Sequence, residues 1–239
     1  MIKTIQGVKD KLKIIAREKN IDFNSVMRFY MYDRFIERLS RSKYKDNFIL
    51  KGGLLLSAMF GIDNRMTKDM DATLKSIPLK EDTVLSIMSE ILNIDIEDNV
   101  SFEIVGIKDI REEDEYGGFK INIIGKLERL RVNMFVELTT GDKITPKEIK
   151  FNYNCIFNKV QIPIFAYTLE TVVSEKFETI ISRNITTTRL KDFYDLGILL
   201  SDKTKKYDEE ILIEADVGIS FTLNSIEDVV DYSIKNNIN

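Results

Sequence analysis

The sequence predicts an α+β fold in which helices at both ends of the chain flank a mixed β-sheet. Apolar residues recur with helical spacing over the first 41 residues and again from Thr168 onward. Between these segments, alternating polarity and β-branched residues indicate strands. Helices, then strands, then helices, in that order along the chain, are typical of an α+β protein.

The first part of the chain alternates helices with short strands. Ile5, Val8, Leu12 and Ile15 form the apolar stripe of the first helix. A glycine pair ends the first strand, and Gly61 stops the helix that follows. The elements predicted here are helices at 3–19, 24–41, 54–60 and 81–93, and strands at 47–50 and 67–74.

The second part begins as strands and ends as helices. The predicted strands lie in "VSFEIVGI", "GFKINIIG", "LRVNMFVELTT" and "QIPIFAY". A helix is predicted over 168–182, and another begins near Arg189. We therefore expect residues 1–165 to form the N-terminal helices and sheet core, and residues 166–239 a C-terminal helical region packed on it.

The composition excludes several kinds of chemistry. The chain contains no histidine and one cysteine, Cys155. Catalytic triads, histidine bases, histidine metal sites, intrachain disulfides and cysteine-rich zinc sites are thus excluded. Carboxylates and other oxygen ligands favour Mg²⁺ or Mn²⁺. No apolar run approaches the ~18–20 residues that span a bilayer, and no signal-peptide pattern is present, so we expect a cytoplasmic protein without membrane contact.

Positive charge is concentrated at the N-terminal end. Residues 1–45 contain twelve Lys or Arg and five Asp or Glu, whereas the whole chain has a net charge of −4. A basic arm on an acidic body fits nucleic-acid contact by the arm. A solvated, lysine-rich helical face explains the same composition equally well.

Asp69 and Asp71 are the first candidates for chemistry. Their i, i+2 spacing on a predicted strand places both side chains on one face of the sheet, ~6–7 Å apart. Such carboxylates repel each other unless a cation lies between them, and a pair of divalent ions acting at phosphorus uses this arrangement. An exposed strand carrying two acids is the alternative.

The surrounding residues strengthen the case for a phosphate site. Gly52-Gly53 follows a strand and opens a helix, where the backbone can approach a phosphate near the helix N-terminus. Glu137 lies in a later strand and completes the acidic site if that strand neighbours the Asp69–Asp71 strand. An ordinary turn and a strand with one outward-facing Glu are the alternatives.

Two features in the C-terminal helices complete the set of candidates. Lys176 flanks an apolar stripe, so its stem can cover the core while its amine points to a pocket or to water. In the segment "RLKDFYD", Asp192 and Asp195 share a helix face with Arg189, and Lys191 lies beside them. A surface ion-pair network is the alternative for this segment.

Together these motifs resemble the AbiEii/AbiGii family of nucleotidyltransferase toxins, in the DNA polymerase beta nucleotidyltransferase superfamily. The resemblance covers about residues 25 to 200. Its first motif is matched by Gly52, Gly53, Arg65, Thr67, Asp69 and Asp71. "VELTTGDKITP" resembles the strand with the third acid, where Glu137 stands in place of the more usual Asp. The last two motifs are matched by Lys176 and by Arg189, Lys191, Asp192 and Asp195.

The resemblance implies a polymerase-beta-like fold and transfer of a nucleotide from an NTP with Mg²⁺. It implies a toxin of a type IV toxin–antitoxin or abortive-infection system, with RNA, the tRNA acceptor end, as substrate and an antitoxin as genetic partner. Asp69, Asp71 and Glu137 would hold the metal, and Gly52, Gly53, Arg65, Thr67, Lys176, Arg189 and Lys191 the nucleotide. Either Asp192 or Asp195 would orient Lys176 or act near the acceptor hydroxyl.

Two other functions fit the sequence. The acceptor could be a small molecule or a protein side chain, in which case labelled nucleotide would not enter RNA. Alternatively, the chain could bind nucleotide without transferring it, and NTP binding without pyrophosphate release would indicate that.

Overall fold

The computed structural model describes residues 4–110, 117–182 and 190–201. The described residues form two compact units, one made of 4–110, 117–142 and 150–166, the other of 143–149 and the described residues from 167 onward. The division of the whole chain at 165/166, with a helical region to 239, stays a prediction, because residues 202–239 lie outside the described part.

Six helices and seven strands make up the described residues, which confirms the α+β prediction. The helices are α1 (Ile5–Glu18), α2 (Phe23–Arg41), α3 (Gly52–Phe60), α4 (Glu81–Leu92), α5 (Leu169–Ser182) and α6 (Leu190–Ser201). The strands are β1 (Phe48–Lys51), β2 (Asp69–Leu74), β3 (Val100–Ile110), β4 (Gly118–Leu127), β5 (Leu130–Thr139), β6 (Ile149–Asn154) and β7 (Gln161–Ala166).

One sheet contains all seven strands, in the order β3-β4-β5-β2-β1-β7-β6. It is mixed, since β2 runs parallel to β5 and β1 parallel to β7, whereas β1–β2, β3–β4 and β4–β5 are antiparallel. The central strands β2 and β1 therefore bring together segments that are far apart in sequence. The ends of these two strands carry the glycine pair and the two aspartates.

Burial alternates along the central strands because successive side chains point to opposite faces of the sheet. Ile121, Ile123, Met134 and Val136 on one face are fully buried or nearly so, as is Met70 of β2. The other face carries the polar side chains of β2, β4 and β5, which are half-buried. Any site built on this sheet thus has a closed apolar floor and a more open polar face.

The first two helices pack into the first unit and do not form an arm. Thr4 and Asp22 cap α1 and α2 through their side chains. Most of α2 is buried, including Arg34 and Arg38. Basic side chains of this segment pair with acids of the same unit: Lys9 with Glu128, Lys19 with Asp63, Arg34 with Glu37, Arg38 with Asp98, and Lys43 with Glu90. The described residues of this segment are therefore packed helices with many of their charges paired, and nucleic-acid contact by the segment stays a prediction.

Strand β6 was not predicted from the sequence. It lies at one edge of the sheet, and Tyr153 is its one buried residue. An edge strand with one buried side chain lacks the apolar alternation by which strands are recognised.

Candidate active site

The register of the central strands places the three candidate acids together. Asp71 of β2 lies opposite Glu137 of β5, and Asp69 lies opposite Phe135 one step along the same pair. All three carboxylates therefore share the polar face of the sheet. Glu137 could join Asp69 and Asp71 in one site only if their strands were neighbours, and β5 does lie beside β2.

Electrostatic crowding is greatest at Asp71. Burial, together with the negative charges of Glu137 and Asp69, raises its pKa to about 6, although Lys51 acts in the opposite direction. A cation added beside these carboxylates would relieve the repulsion. Three oxygen-donating acids form the ligand set that Mg²⁺ and Mn²⁺ prefer, so the residues fit such an ion.

Lys120 contacts two of the three acids. Its ammonium lies 2.7 Å from Glu137 Oε1 and 3.7 Å from Asp69 Oδ2, and 4.8 Å from the centre of the Phe135 ring. Although partial burial opposes the change, the hydrogen bond to Glu137 and the nearby carboxylates raise the pKa of Lys120. As the side chains stand, no three acids of the described residues are grouped closely enough to hold a metal ion.

The glycine pair is shaped by these acids. Gly52 has φ +64°, and a Cβ on it would lie 2.2 Å from Asp71 Oδ2. A Cβ on Gly53 would lie 2.7 Å from Thr67 Oγ1 and 3.4 Å from a terminal nitrogen of Arg65. Only glycine fits between the start of α3 and the β2 aspartate, because any side chain would push the carboxylate away.

Arg65 and Thr67 line the same turn from the loop before β2. Arg65 is buried and donates to the carbonyl of Met66. The Ser57 hydroxyl lies 2.6 Å from the Arg65 carbonyl oxygen and 2.8 Å from that of Gly53, so it joins this loop to α3. Thr67 Oγ1 donates to the Asp69 carbonyl oxygen over 3.0 Å. The predicted nucleotide-binding residues of the first motif thus form one contiguous set around the start of α3.

A buried network behind this turn was missed by the sequence analysis. Asp142 Oδ2 accepts hydrogen bonds from Lys51 Nζ (2.7 Å) and from the hydroxyls of Thr73 and Thr139 (2.6 Å each). Although burial would raise it, the ammonium of Lys51 and these hydroxyls hold the pKa of Asp142 well below its usual value. Lys51 lies directly opposite Asp71 in the β1–β2 register and directly precedes Gly52.

The signals for these residues were present but weak. Lys51 is a charged residue at the end of the apolar run "FIL", and Asp142 follows Gly141 five positions after Glu137. Lys120 occupies a polar position in the alternating segment "GFKINIIG". The partners of each residue depend on the pairing of strands that are far apart in sequence, and a local sequence pattern does not reveal that pairing.

The second unit contains the other candidates. Lys176 of α5 forms ion pairs with Asp192 Oδ1 (2.6 Å) and Asp195 Oδ2 (2.8 Å) of α6, and both acids are buried. Because both contact the same ammonium, their geometry does not separate an essential acid from an accessory one. Lys191 is exposed, and Arg189 lies outside the described residues. The roles assigned to all site residues stay predictions.

Comparison with known proteins identifies the family. Residues 34–219, well over half of the chain, match the sequence model described as nucleotidyl transferase AbiEii toxin, type IV TA system. The chain belongs to this family. It is therefore a nucleotidyltransferase toxin, which implies a nucleotide substrate and an antitoxin partner. The resemblance found in the sequence is confirmed.

Two solved structures share the fold. The crystal structure of a candidate nucleotidyltransferase from H. pylori has a TM-score of 0.53 and 16% identity, and the match covers 90% of this chain and 92% of that one. JHP933 from Helicobacter pylori has a TM-score of 0.52 and 16% identity, with 88% of each chain covered. At this identity the likeness establishes the fold alone. No curated protein matches the sequence, and no described helix has the length and apolar character that crossing a bilayer requires.

Proposed function

We propose that this chain transfers a nucleoside monophosphate from an NTP to the 3′-hydroxyl of an RNA, the acceptor end of tRNA, with Mg²⁺ or Mn²⁺. One observation carries the proposal: Asp69, Asp71 and Glu137 lie together on the open face of the sheet, against the glycine turn at the start of α3. NTP and tRNA are both cytoplasmic, so the proposed reaction would take place in the cytoplasm.

The metal would be held by Asp69, Asp71 and Glu137. Their all-oxygen donor set suits a hard divalent cation. Burial and the neighbouring acids raise the pKa of Asp71, and a bound cation would offset the repulsion between these acids. When bound, a divalent ion supplies the positive charge that activates an attacking hydroxyl and stabilises a leaving pyrophosphate.

The residues around the turn would bind and orient the triphosphate. Gly52 and Gly53 leave the backbone open to a phosphate, and the N-terminus of α3 favours an anion there. Arg65 and Thr67, which border Gly53, would complete this contact. In the second unit Lys176 would neutralise phosphate charge, oriented by Asp192 and Asp195. Arg189 and Lys191 would bind phosphates or pair with these acids.

These roles require no histidine. The chain would catalyse transfer by holding the RNA hydroxyl and the α-phosphate in line and by offsetting the charge that develops between them. The choice of an RNA acceptor rests on the resemblance to the AbiEii/AbiGii toxins. The paired basic side chains of α1 and α2 give it no separate support.

Substitution of the β2 aspartates tests the proposal. Wild type, Asp69→Asn and Asp71→Asn are incubated with total RNA and each labelled NTP in turn, and label in RNA is measured. We expect each variant to lose at least about 100-fold in rate, because a carboxylate that places charge at the reacting phosphate is removed. Asp63→Asn is the matched control, since Asp63 lies six residues before Asp69 and pairs with Lys19 on the surface.

The outcomes separate the parts of the proposal. Full activity of both variants, with folding verified by circular dichroism, would remove the β2 acids from the mechanism. Label in a small molecule or in protein, with none in RNA, would keep the transferase and change its acceptor.

A further inference from the structure

We propose that Lys120 competes with the divalent cation for Asp69 and Glu137, and thereby sets the metal affinity of the site. This inference rests on the proposed function, because it takes these acids as metal ligands. It concerns a residue outside the motifs that suggested the function.

Strand pairing places Lys120 at the site. Lys120 of β4 lies opposite Glu137 of β5, which in turn lies opposite Asp71 of β2. These residues form one row across the polar face of the sheet. The Lys120 ammonium donates to Glu137 Oε1 at 2.7 Å and lies 3.7 Å from Asp69 Oδ2. An ion bound by the same two carboxylates would lie beside this ammonium, because both cations draw on the same two groups.

The other lysine of the row has a different role. Lys51 has 6% of its side chain exposed, and its partner Asp142 is also held by two threonine hydroxyls. Lys120 has 30% of its side chain exposed, and its ammonium donates a hydrogen bond to Glu137. A long side chain at the edge of water can turn away at little cost, whereas a buried side chain that is paired with a buried acid cannot. Lys120 is thus the cation that a metal ion can displace.

Charge explains why the two cations exclude each other. Lys51 acts on Asp71 but is held by Asp142, whereas Asp69 and Glu137 both contact the ammonium of Lys120. A divalent ion supplies twice that charge to the same oxygens, and an ammonium beside it would be repelled. Metal binding must therefore break the Lys120 contacts, which lowers the net affinity for the metal.

Direct measurement of Mn²⁺ binding tests this inference. Free Mn²⁺ is measured by electron paramagnetic resonance on the full chain, without nucleotide, for wild type and Lys120→Met. We expect about tenfold tighter binding by Lys120→Met, because the competing ammonium is gone while the aliphatic stem remains. Lys120→Gln, which is neutral but polar, should bind Mn²⁺ more tightly as well.

Lys126→Met is the matched control. Lys126 lies six residues along β4 on the same face, has 29% of its side chain exposed and pairs with Glu103. Its removal changes the net charge by the same amount, so unchanged Mn²⁺ affinity in Lys126→Met would show that the effect depends on position. Equal gains in both variants would show a general charge effect and overturn the inference.

Two results would overturn the inference in distinguishable ways. Unchanged or weaker Mn²⁺ binding by Lys120→Met and Lys120→Gln, with wild type binding Mn²⁺, would refute competition and leave the proposed function intact. No Mn²⁺ binding by wild type or either variant would refute competition together with the metal part of the proposed function. Nucleotide incorporation by wild type, measured in parallel, tests the transfer itself.

Discussion

Asp142 and Asp33 are two acids of the first unit that lie largely out of water, yet their pKa values move in opposite directions. Asp142 accepts a hydrogen bond from the Lys51 ammonium, and its pKa falls well below the usual value. Asp33 accepts from the Tyr153 hydroxyl (3.0 Å) and the Phe157 N–H (3.3 Å), and burial raises its pKa to about 7. A buried carboxylate with neutral donors alone does not hold its charge as one bound to an ammonium does.

The comparison bears on the candidate site because Asp71 lies between these extremes. Burial and two acidic neighbours act on it as burial acts on Asp33, while Lys51 opposes them. Lys51 therefore faces Asp142 and Asp71 at once, and Asp142 fixes where its charge lies. The buried network thus holds the charge of Lys51 beside the site.

The largest expected effect is that of breaking the Lys51–Asp142 pair. Asp142→Ala should lower the free energy of unfolding by about 3–5 kcal/mol, because it leaves the Lys51 ammonium buried without its main partner. Urea unfolding followed by circular dichroism measures this loss. Nucleotide transfer should also fall, since Lys51 directly precedes Gly52 and faces Asp71.

A double variant serves as control for this prediction. Lys51→Met with Asp142→Leu replaces the charged pair by apolar side chains of similar size, so it should be less destabilised than Asp142→Ala alone. A loss below about 1 kcal/mol in Asp142→Ala would mean that the two threonine hydroxyls, or water, satisfy the ammonium. The ammonium partner of Asp142 would then not account for its difference from Asp33.

A smaller, pH-dependent effect is expected at Asp33. Its folded pKa of about 7 exceeds the ordinary value, so between about pH 4 and pH 7 the folded state holds a proton that the unfolded state has lost. The contribution of Asp33 to stability therefore decreases as pH rises through this window, and the cost is complete above pH 7. From pH 5 to 7.5, wild type should lose roughly 2–3 kcal/mol relative to Asp33→Asn, which does not titrate.

Urea unfolding of both chains at pH 5 and pH 7.5 measures this difference. The titratable groups that act on Asp33 and its neighbours are present in wild type and in Asp33→Asn, so their own titration cancels. These groups are Arg34, Glu37, Arg38, Asp98 and Cys155. Parallel pH curves for the two chains would show that Asp33 ionises near its ordinary pKa. Arg34 would then act on it as strongly as Lys51 acts on Asp142.

The sequence predicted more of the fold than of the site's charge balance. The helices and all but one strand follow from periodicity, and the i, i+2 aspartates and the glycine pair mark the site locally. The roles of Lys51, Lys120 and Asp142 could not be assigned from the sequence. Lys51 and Asp142 are 91 residues apart, and Lys120 lies 17 residues from Glu137. Strand pairing decides which lysine faces which acid, and pairing depends on the whole sheet.

The smallest expected effect is that of removing the Tyr32 hydroxyl. This buried polar group is neutral, so it needs no cation beside it. Its hydroxyl lies 2.7 Å from the Lys68 carbonyl oxygen and 3.0 Å from that of Phe135, and it accepts a hydrogen bond from the Phe135 N–H. These contacts join α2 to the start of β2, directly before Asp69. Tyr32→Phe should lower the free energy of unfolding by about 1–2 kcal/mol, because buried carbonyls lose a donor.

Tyr30→Phe is the control, since the Tyr30 hydroxyl on the same helix makes no hydrogen bond within the described residues and its ring packs on Phe157. It should leave stability within about 0.5 kcal/mol of wild type. If Tyr32→Phe cost as much as Asp142→Ala, loss of a neutral hydroxyl would equal loss of a charged partner. Packing, and not the ammonium of Lys51, would then explain the difference between the surroundings of Asp142 and those of Asp33.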